Sequence, residues 1–294
     1  MDAFQFDEMT RRFVGTFSRR KFIGAAASLG AAAAFPFTVD HAAAQAADAS
    51  GLVQQLYSSL NAYQYAEAYA LLGATWHSQQ SLAKFTAGYA GAAFVQCETA
   101  STKQAAGSTH VVNVRLISWG NDGSITGYSG AYTVGTENGK LTIISGDNAI
   151  GSVPNGTPGL CTVADLTFAF GPWDAGAGSR NGAIVGTNVS VYTCALGGSP
   201  RVELTDVAKQ TVRSTSQSGS PPIAVMIKPG NSARAPLRFS NWCGGTGAPA
   251  SVKVDLPGDP AVANVSSTQN GISFPPCLGS TASAMGVQGW VAGS

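Results

Sequence analysis

Tyr128-Ser129-Gly130-Ala131-Tyr132-Thr133-Val134-Gly135-Thr136-Glu137-Asn138-Gly139-Lys140-Leu141-Thr142-Ile143 decides how the first half of this chain is read. Runs that alternate or stay apolar flank Asn138-Gly139, and such runs bounded by turn residues read as strands. Asn-Gly tolerates the positive φ that a two-residue hairpin turn demands. A second turn, Asn121-Asp122-Gly123, lies one strand upstream. Phe94–Ala100, His110–Ser118, Ser124–Val134 and Lys140–Ile144 therefore predict a four-stranded antiparallel meander.

Upstream the period changes. Leu52, Leu56, Leu60 and Tyr63 recur at helical spacing. Tyr65 to Leu72 reads as a second helix with Trp76 at its end. Ser81 to Tyr89 reads as a third, with Ser81 as its N-cap. Three helices followed by a meander make an α+β domain over residues 47–152.

That stretch resembles a nuclear transport factor 2-like domain, the cone-shaped fold of ketosteroid isomerases and SnoaL-type cyclases. The residues carrying the likeness are Tyr57, Leu60, Tyr65, Ala68, Tyr69, Leu71, Leu72, Trp76, Leu82, Phe85 and Tyr89, then Gly130–Val134 and Gly139–Ile143. The resemblance implies a sheet curled around a pocket for a small apolar ligand, and a homodimer through this domain. In enzyme members an acid, a base or a histidine stands inside. Tyr128 and Tyr132 share strand parity and are pocket candidates, with Trp76, His77 and Glu98 beside them. Asp147 is a further acid on or beside a strand; His110 opens its strand and is expected at the surface. No tyrosine with paired carboxylates can be placed as in the isomerases. The expectation is therefore a non-catalytic binding or interaction protein, with a small-molecule isomerase, cyclase or hydrolase as the alternative.

Ahead of this domain, Ser18-Arg19-Arg20-Lys21-Phe22-Ile23 resembles the twin-arginine export motif. An alanine-rich apolar run, Phe22 to Phe37, follows; its 16 residues fall short of a bilayer span. His41-Ala42-Ala43-Ala44-Gln45-Ala46 offers the small residues a signal peptidase reads, so cleavage is expected after Ala46. The order of regions implies a secreted or extracytoplasmic protein of residues 47–294. The first cysteine is Cys97, so this segment offers no cysteine for a lipid anchor.

Composition narrows the function classes. Of 17 Lys and Arg, five lie in residues 1–46, as do four of 16 Asp and Glu; the remainder is neutral. Nucleic-acid binding needs clustered positive charge, and none stands beyond the signal segment. Charged residues are only 11% of the chain and glycine numbers 36, which favours strands and turns. No nucleotide or dinucleotide fingerprint opens a helix, so no cofactor is expected; Gly244-Gly245-Thr246-Gly247 after Cys243 reads as a turn.

Val153-Pro154-Asn155-Gly156-Thr157-Pro158-Gly159 is rich in breakers and marks a linker over 153–160. Beyond it short runs alternate with turn residues: Leu166–Phe170, Ala183–Asn188, Val202–Leu204, Pro222–Ile227, Ala235–Phe239, Ser251–Leu256 and Val287–Val291. Seven such runs predict an all-β, immunoglobulin-like sandwich over 161–294. Cys161, Cys194, Cys243 and Cys277 lie there, too far apart in sequence for a zinc site. An even count in an exported chain favours two disulfides, and three pairings are open. Antiparallel neighbours bring the start of the first strand and the end of the second together, which favours Cys161–Cys194 and leaves Cys243–Cys277. Cys97 is the odd thiol, expected buried on a strand.

The second half also resembles domain of unknown function 4232, on Thr187–Ser190, Cys194–Pro200, Ile227–Ala233, Asn241-Trp242-Cys243, Leu256-Pro257-Gly258 and Pro276-Cys277, in that order. That family occurs in secreted and lipid-anchored bacterial proteins. The likeness implies fold and location, not chemistry. Trp242 reads as packing beside Cys243; Arg180, Arg234 and Arg238 are the basic residues available to a partner.

Overall fold

The computed structural model describes residues 38–171, 174–176, 178–205, 208, 211–214, 216–217, 223–240, 251–266 and 284–293. The twin-arginine stretch and its apolar run, with Trp242, Cys243, Gly244–Gly247 and Cys277, lie outside them.

The N-terminal part is α+β and the C-terminal part is β-rich. Helices α1 (Thr38–Asn61), α2 (Tyr65–Tyr69), α3 (Ala74–Gln79) and α4 (Leu82–Tyr89) precede strands β1 (Ala92–Gln104), β2 (His110–Gly120), β3 (Ile125–Glu137) and β4 (Lys140–Gly151). The strands pair antiparallel in chain order. Asn138 and Gly139 both take positive φ, 52° and 77°, as the hairpin signal requires. Ser81 caps α4 by accepting from the Lys84 amide at 3.3 Å.

The helical reading needs two corrections. Tyr63 is not helical: it follows α1 with φ at 58°, a region costly for a bulky residue. Trp76 does not close the second helix but sits in α3, a separate short element after Gly73.

One face of this sheet carries the helices. Val53, Leu56, Tyr57 and Leu60 from α1, with Phe85 and Tyr89 from α4, form a core with Val95, Cys97, Val112, Val114, Leu116, Tyr128, Tyr132, Val134 and Ile143. Edge strand β1 is tied to the end of α1 by a side chain. Asn61 is buried, donates through Nδ2 to the Val95 carbonyl and accepts at Oδ1 from the Val95 amide, both at 2.9 Å. Asn61→Leu orphans both buried groups and is expected to cost about 2–4 kcal/mol. Urea titration checks this; a loss under 1 kcal/mol would show that the contact is dispensable.

The C-terminal part runs β5 (Leu166–Phe170), β6 (Asp174–Gly176), β7 (Ser179–Asn188), β8 (Cys194–Leu196), β9 (Arg201–Thr205), β10 (Thr211–Ser214), β11 (Ser216–Gln217), β12 (Val225–Ile227), β13 (Ser232–Ser240), β14 (Ser251–Asp255), β15 (Val262–Ser266), β16 (Ala284–Val287) and β17 (Val291–Ala292). One sheet orders β10-β9-β14-β15; a larger one orders β11-β16-β13-β7-β5, with β6 and β17 at its margins. Strand period two puts Val202, Leu204, Val252 and Val254 of the first into one core with Ile184, Ala235, Leu237, Phe239 and Val287 of the second. Arg234 and Arg238 stand exposed on the other face of β13. A disulfide joins Cys161 to Cys194.

The two parts are joined by more than a tether. Phe94, Ile117 and Trp119 face away from the helices and form a third buried cluster with Ala195 and Ala224 of the C-terminal part. Phe94 and Trp119 lie with ring centroids 5.7 Å apart. Gly197 admits the Phe94 ring, for a Cβ there would meet the ring carbons at 2.4 to 2.9 Å. Gly258, at φ 79°, admits Ala93 in the same way. The segment read as a linker is pinned on both sides. Trp119 Nε1 donates to the Pro158 carbonyl at 3.0 Å, and the Ala195 amide donates to the Gly159 carbonyl at 2.9 Å.

Candidate functional site

The helix-covered face of the first sheet gathers four buried phenols. Tyr128 and Tyr132 point there from β3, as their parity predicts; Tyr57 arrives from α1 and Tyr89 from α4. The Tyr57 and Tyr132 hydroxyls stand 2.6 Å apart. Asn148 Nδ2 donates to the Tyr132 hydroxyl at 2.7 Å, while Asn148 Oδ1 is buried without a hydrogen bond.

Two glycines shape this corner. A Cβ on Gly130 would meet the Asp147 carbonyl at 1.9 Å, so only glycine lets Asn148 lie across from it. A Cβ on Gly146 would strike Tyr132 at 2.5 Å and approach Trp76 at 3.3 Å. Trp76 is half-buried against the core beside this corner. Farther along β4, Ile150 lies opposite Tyr128 and is 55% exposed, which gives the corner an open apolar rim.

Burial governs the electrostatics. It pushes the Tyr57 and Tyr89 phenols well above their usual value, with the neighbouring phenols adding to it. Tyr132 is pushed up to about 12 by burial, against the lowering effect of its bonds from Tyr57 and Asn148. Cys97, free and buried, is also pushed up to about 12, chiefly by burial and then by Glu98. All four groups are therefore protonated at neutral pH.

The sign of the pH dependence follows. Below about pH 8 these groups are protonated in both the folded and the unfolded chain. As pH rises towards 12 the unfolded chain ionises first, the thiol from about pH 8.5 and the phenols from about pH 10, and stability then falls by about 1 kcal/mol per pH unit for each group. The phenolate absorbance that belongs to Tyr57, Tyr89 and Tyr132 is thus expected to appear together with loss of tertiary circular dichroism, apart from that of the exposed Tyr63 and Tyr192. Ionisation of these phenols near pH 10 in a folded protein would contradict the burial described.

The remaining sequence candidates lie elsewhere. His77 is exposed on α3, its Nε2 3.0 Å from the Tyr69 carbonyl and its ring 4.5 Å from that of Tyr69. Glu98 does not enter the helix-covered face. It is exposed on the opposite side of β1, where it accepts from Gln96 Nε2 at 2.7 Å. Gln96 Oε1 in turn accepts from the Ala224 amide at 3.2 Å, so Glu98 orients an inter-part contact. Asp147 is exposed, paired in register with Ala131. His110 is the reverse correction: expected at the surface, it is 2% exposed, and neither ring nitrogen has a hydrogen bond. Its strand parity with Val112, Val114 and Leu116 turns it to the helix-covered face.

Sequence reasoning missed Tyr57 and Asn148 as members of this group. Tyr57 falls between the leucines of the helical pattern. Asn148 was hidden by a register shift between Thr133 and Val134, which reverses the parity of β4 relative to the hairpin turn. Among the described residues, no group of three or more His, Cys, Asp or Glu forms a metal site, and no helix is long and apolar enough to cross a membrane.

Comparison with known proteins assigns the second half only. A DUF4232 domain, described as a domain of unknown function, is found at residues 161–273. No curated protein and no solved structure matches the chain.

Proposed function

We propose that the protein is exported by the twin-arginine route and acts outside the cytoplasm as a non-catalytic binding protein. Its N-terminal part is read as a nuclear transport factor 2-like cone that takes a small apolar ligand beside Trp76, Tyr132 and Ile150. Its C-terminal part is read as an immunoglobulin-like sandwich. Export is supported by the Ser18–Ile23 motif and by the Cys161–Cys194 disulfide, a bond that persists in oxidising compartments.

One observation carries the binding reading. The polar groups at the corner are protonated phenols and an amide, which orient a ligand by hydrogen bonding and do not take up a proton at neutral pH. A thermal-shift series of residues 47–294 against fatty acids, sterols and aromatic ketones tests it. Stabilisation by at least one class is expected, lost in Asn148→Leu. Reproducible turnover of a small substrate, abolished by Tyr132→Phe, would falsify it.

His110 favours a second reading, an isomerase, cyclase or hydrolase acting in the same cone. It is a buried imidazole without a hydrogen bond on the ligand-bearing face. That reading expects His110→Gln to abolish turnover while leaving ligand stabilisation in place.

A further inference from the structure

A cleft of about 840 Å³ opens between the two parts, away from the phenol cluster. One wall is the turn after α1, with Ala62, Tyr63 and Gln64; the other comes from β9, β14 and the loop into β15. The volume falls within the range of small-ligand sites. We propose that this cleft, through Tyr63, Ser199, Arg201 and Asp255, binds a neutral, hydroxyl-rich glycan segment of two to four sugar rings.

Four observations point the same way. Ser199 lines the cleft at 1% exposure, and its hydroxyl has no hydrogen bond among the described residues. A buried hydroxyl left unpaired is costly, and a ligand hydroxyl supplies what it lacks. Asp255 lines the same wall, half-buried, with Arg201 the first of the cations near it. Carboxylates accept from adjacent sugar hydroxyls, and the Arg201 guanidinium, already held by Glu203 at 2.7 Å, keeps further N–H donors.

The third observation is aromatic. Tyr63 sits at the lip, 45% exposed, although a tyrosine at φ 58° is disfavoured. Its ring meets that of Tyr65 in a T-shaped pair with centroids 6.3 Å apart, and its exposed surface is available to the apolar side of a pyranose. The fourth is the charge balance. Arg201 stands with Asp255 and Asp259 in the lining and with its own partner Glu203, so carboxylates outnumber the one guanidinium. Carboxylates in excess repel an anion, and with one guanidinium donor and an aromatic face they suit the hydroxyls of a neutral polyol.

The cleft depends on the docking of the two parts. Pro257 approaches Gly198, and Gly258 seats on Ala93, which fixes the Asp255 wall against the Tyr63 turn. The proposal goes beyond the cone reading and does not require it.

Isothermal titration calorimetry of residues 47–294 against maltotetraose, cellotetraose and chitotetraose tests it. Saturable binding to at least one is expected, weakened tenfold or more by Asp255→Asn and by Tyr63→Gly, a change that suits the positive φ while removing the ring. Ser199→Ala serves as a milder third variant, with folding of each confirmed by circular dichroism. Tyr132→Phe is expected to leave this binding unchanged, so failure of the cone reading and failure of this one are separable. The proposal is overturned if none of the three sugars binds at millimolar concentration, or if binding is indifferent to both Tyr63→Gly and Asp255→Asn. It is also overturned if tetramethylammonium, a cation that the acidic lining attracts, binds the cleft and the sugars do not.

Discussion

Gly197→Val is expected to lower the melting temperature of residues 47–294 by about 6–12 °C, from a loss of about 3 kcal/mol. The cause is a contact between the two halves. A Cβ at residue 197 would lie 2.4, 2.5 and 2.9 Å from three carbons of the Phe94 ring. The ring cannot retreat, since Trp119 and Ile117 pack beside it in the same buried cluster. Phe94→Ala is expected to cost a similar amount by leaving a cavity. The pair should not add, because the valine occupies part of the space the ring vacates; a double-mutant cycle measures that coupling. Strict additivity would mean that Phe94 and Gly197 do not meet in solution.

The second large effect is expected from Cys161→Ser with Cys194→Ser. The bridge closes a sequence separation of 33 residues. Loop entropy puts its contribution at about 3–4 kcal/mol. The loss should spread, because the bridge anchors the strand on which Ala195 enters the inter-part cluster. The Cys161 amide also donates to the Ala195 carbonyl at 2.8 Å beside it. A fall in melting temperature of roughly 6–16 °C is expected, with at least as large a fall when the wild type is reduced. A reduced protein that melts with the oxidised one would show that the bridge adds nothing.

Local signals made the architecture legible. Asn138-Gly139 announces its hairpin because few residues accept positive φ, and Ser81 announces α4 because a helix start needs a side-chain acceptor. The Cys161–Cys194 pairing followed from antiparallel neighbours. Tyr63 misled for a local reason too: it continues a helical apolar spacing, yet the chain turns there and leaves the ring at the surface.

Non-local packing hid the rest. Phe94 read as a strand residue like any other, Trp119 fell just past the end read for its strand, and Gly197-Gly198 carried only the family likeness, because nothing near any of them in sequence announces the others. His110 looked like a polar strand opener and is buried on the helix-covered face. Glu98 looked like a pocket acid, but its strand parity, shared with Phe94 and Gln96, sends it to the other face. The Tyr57–Tyr132–Asn148 chain needs α1, β3 and β4 together, and the shift beside Val134 removed the last clue to Asn148.

The account rests on the two parts acting as one body, because the buried cluster at Phe94 and the cleft beside Tyr63 both exist only when they are docked. Differential scanning calorimetry of residues 47–294 tests this most directly. One transition is expected, with calorimetric and van't Hoff enthalpies equal, splitting into two in Gly197→Val. Two separate transitions in the wild type, unchanged by Gly197→Val, would contradict it.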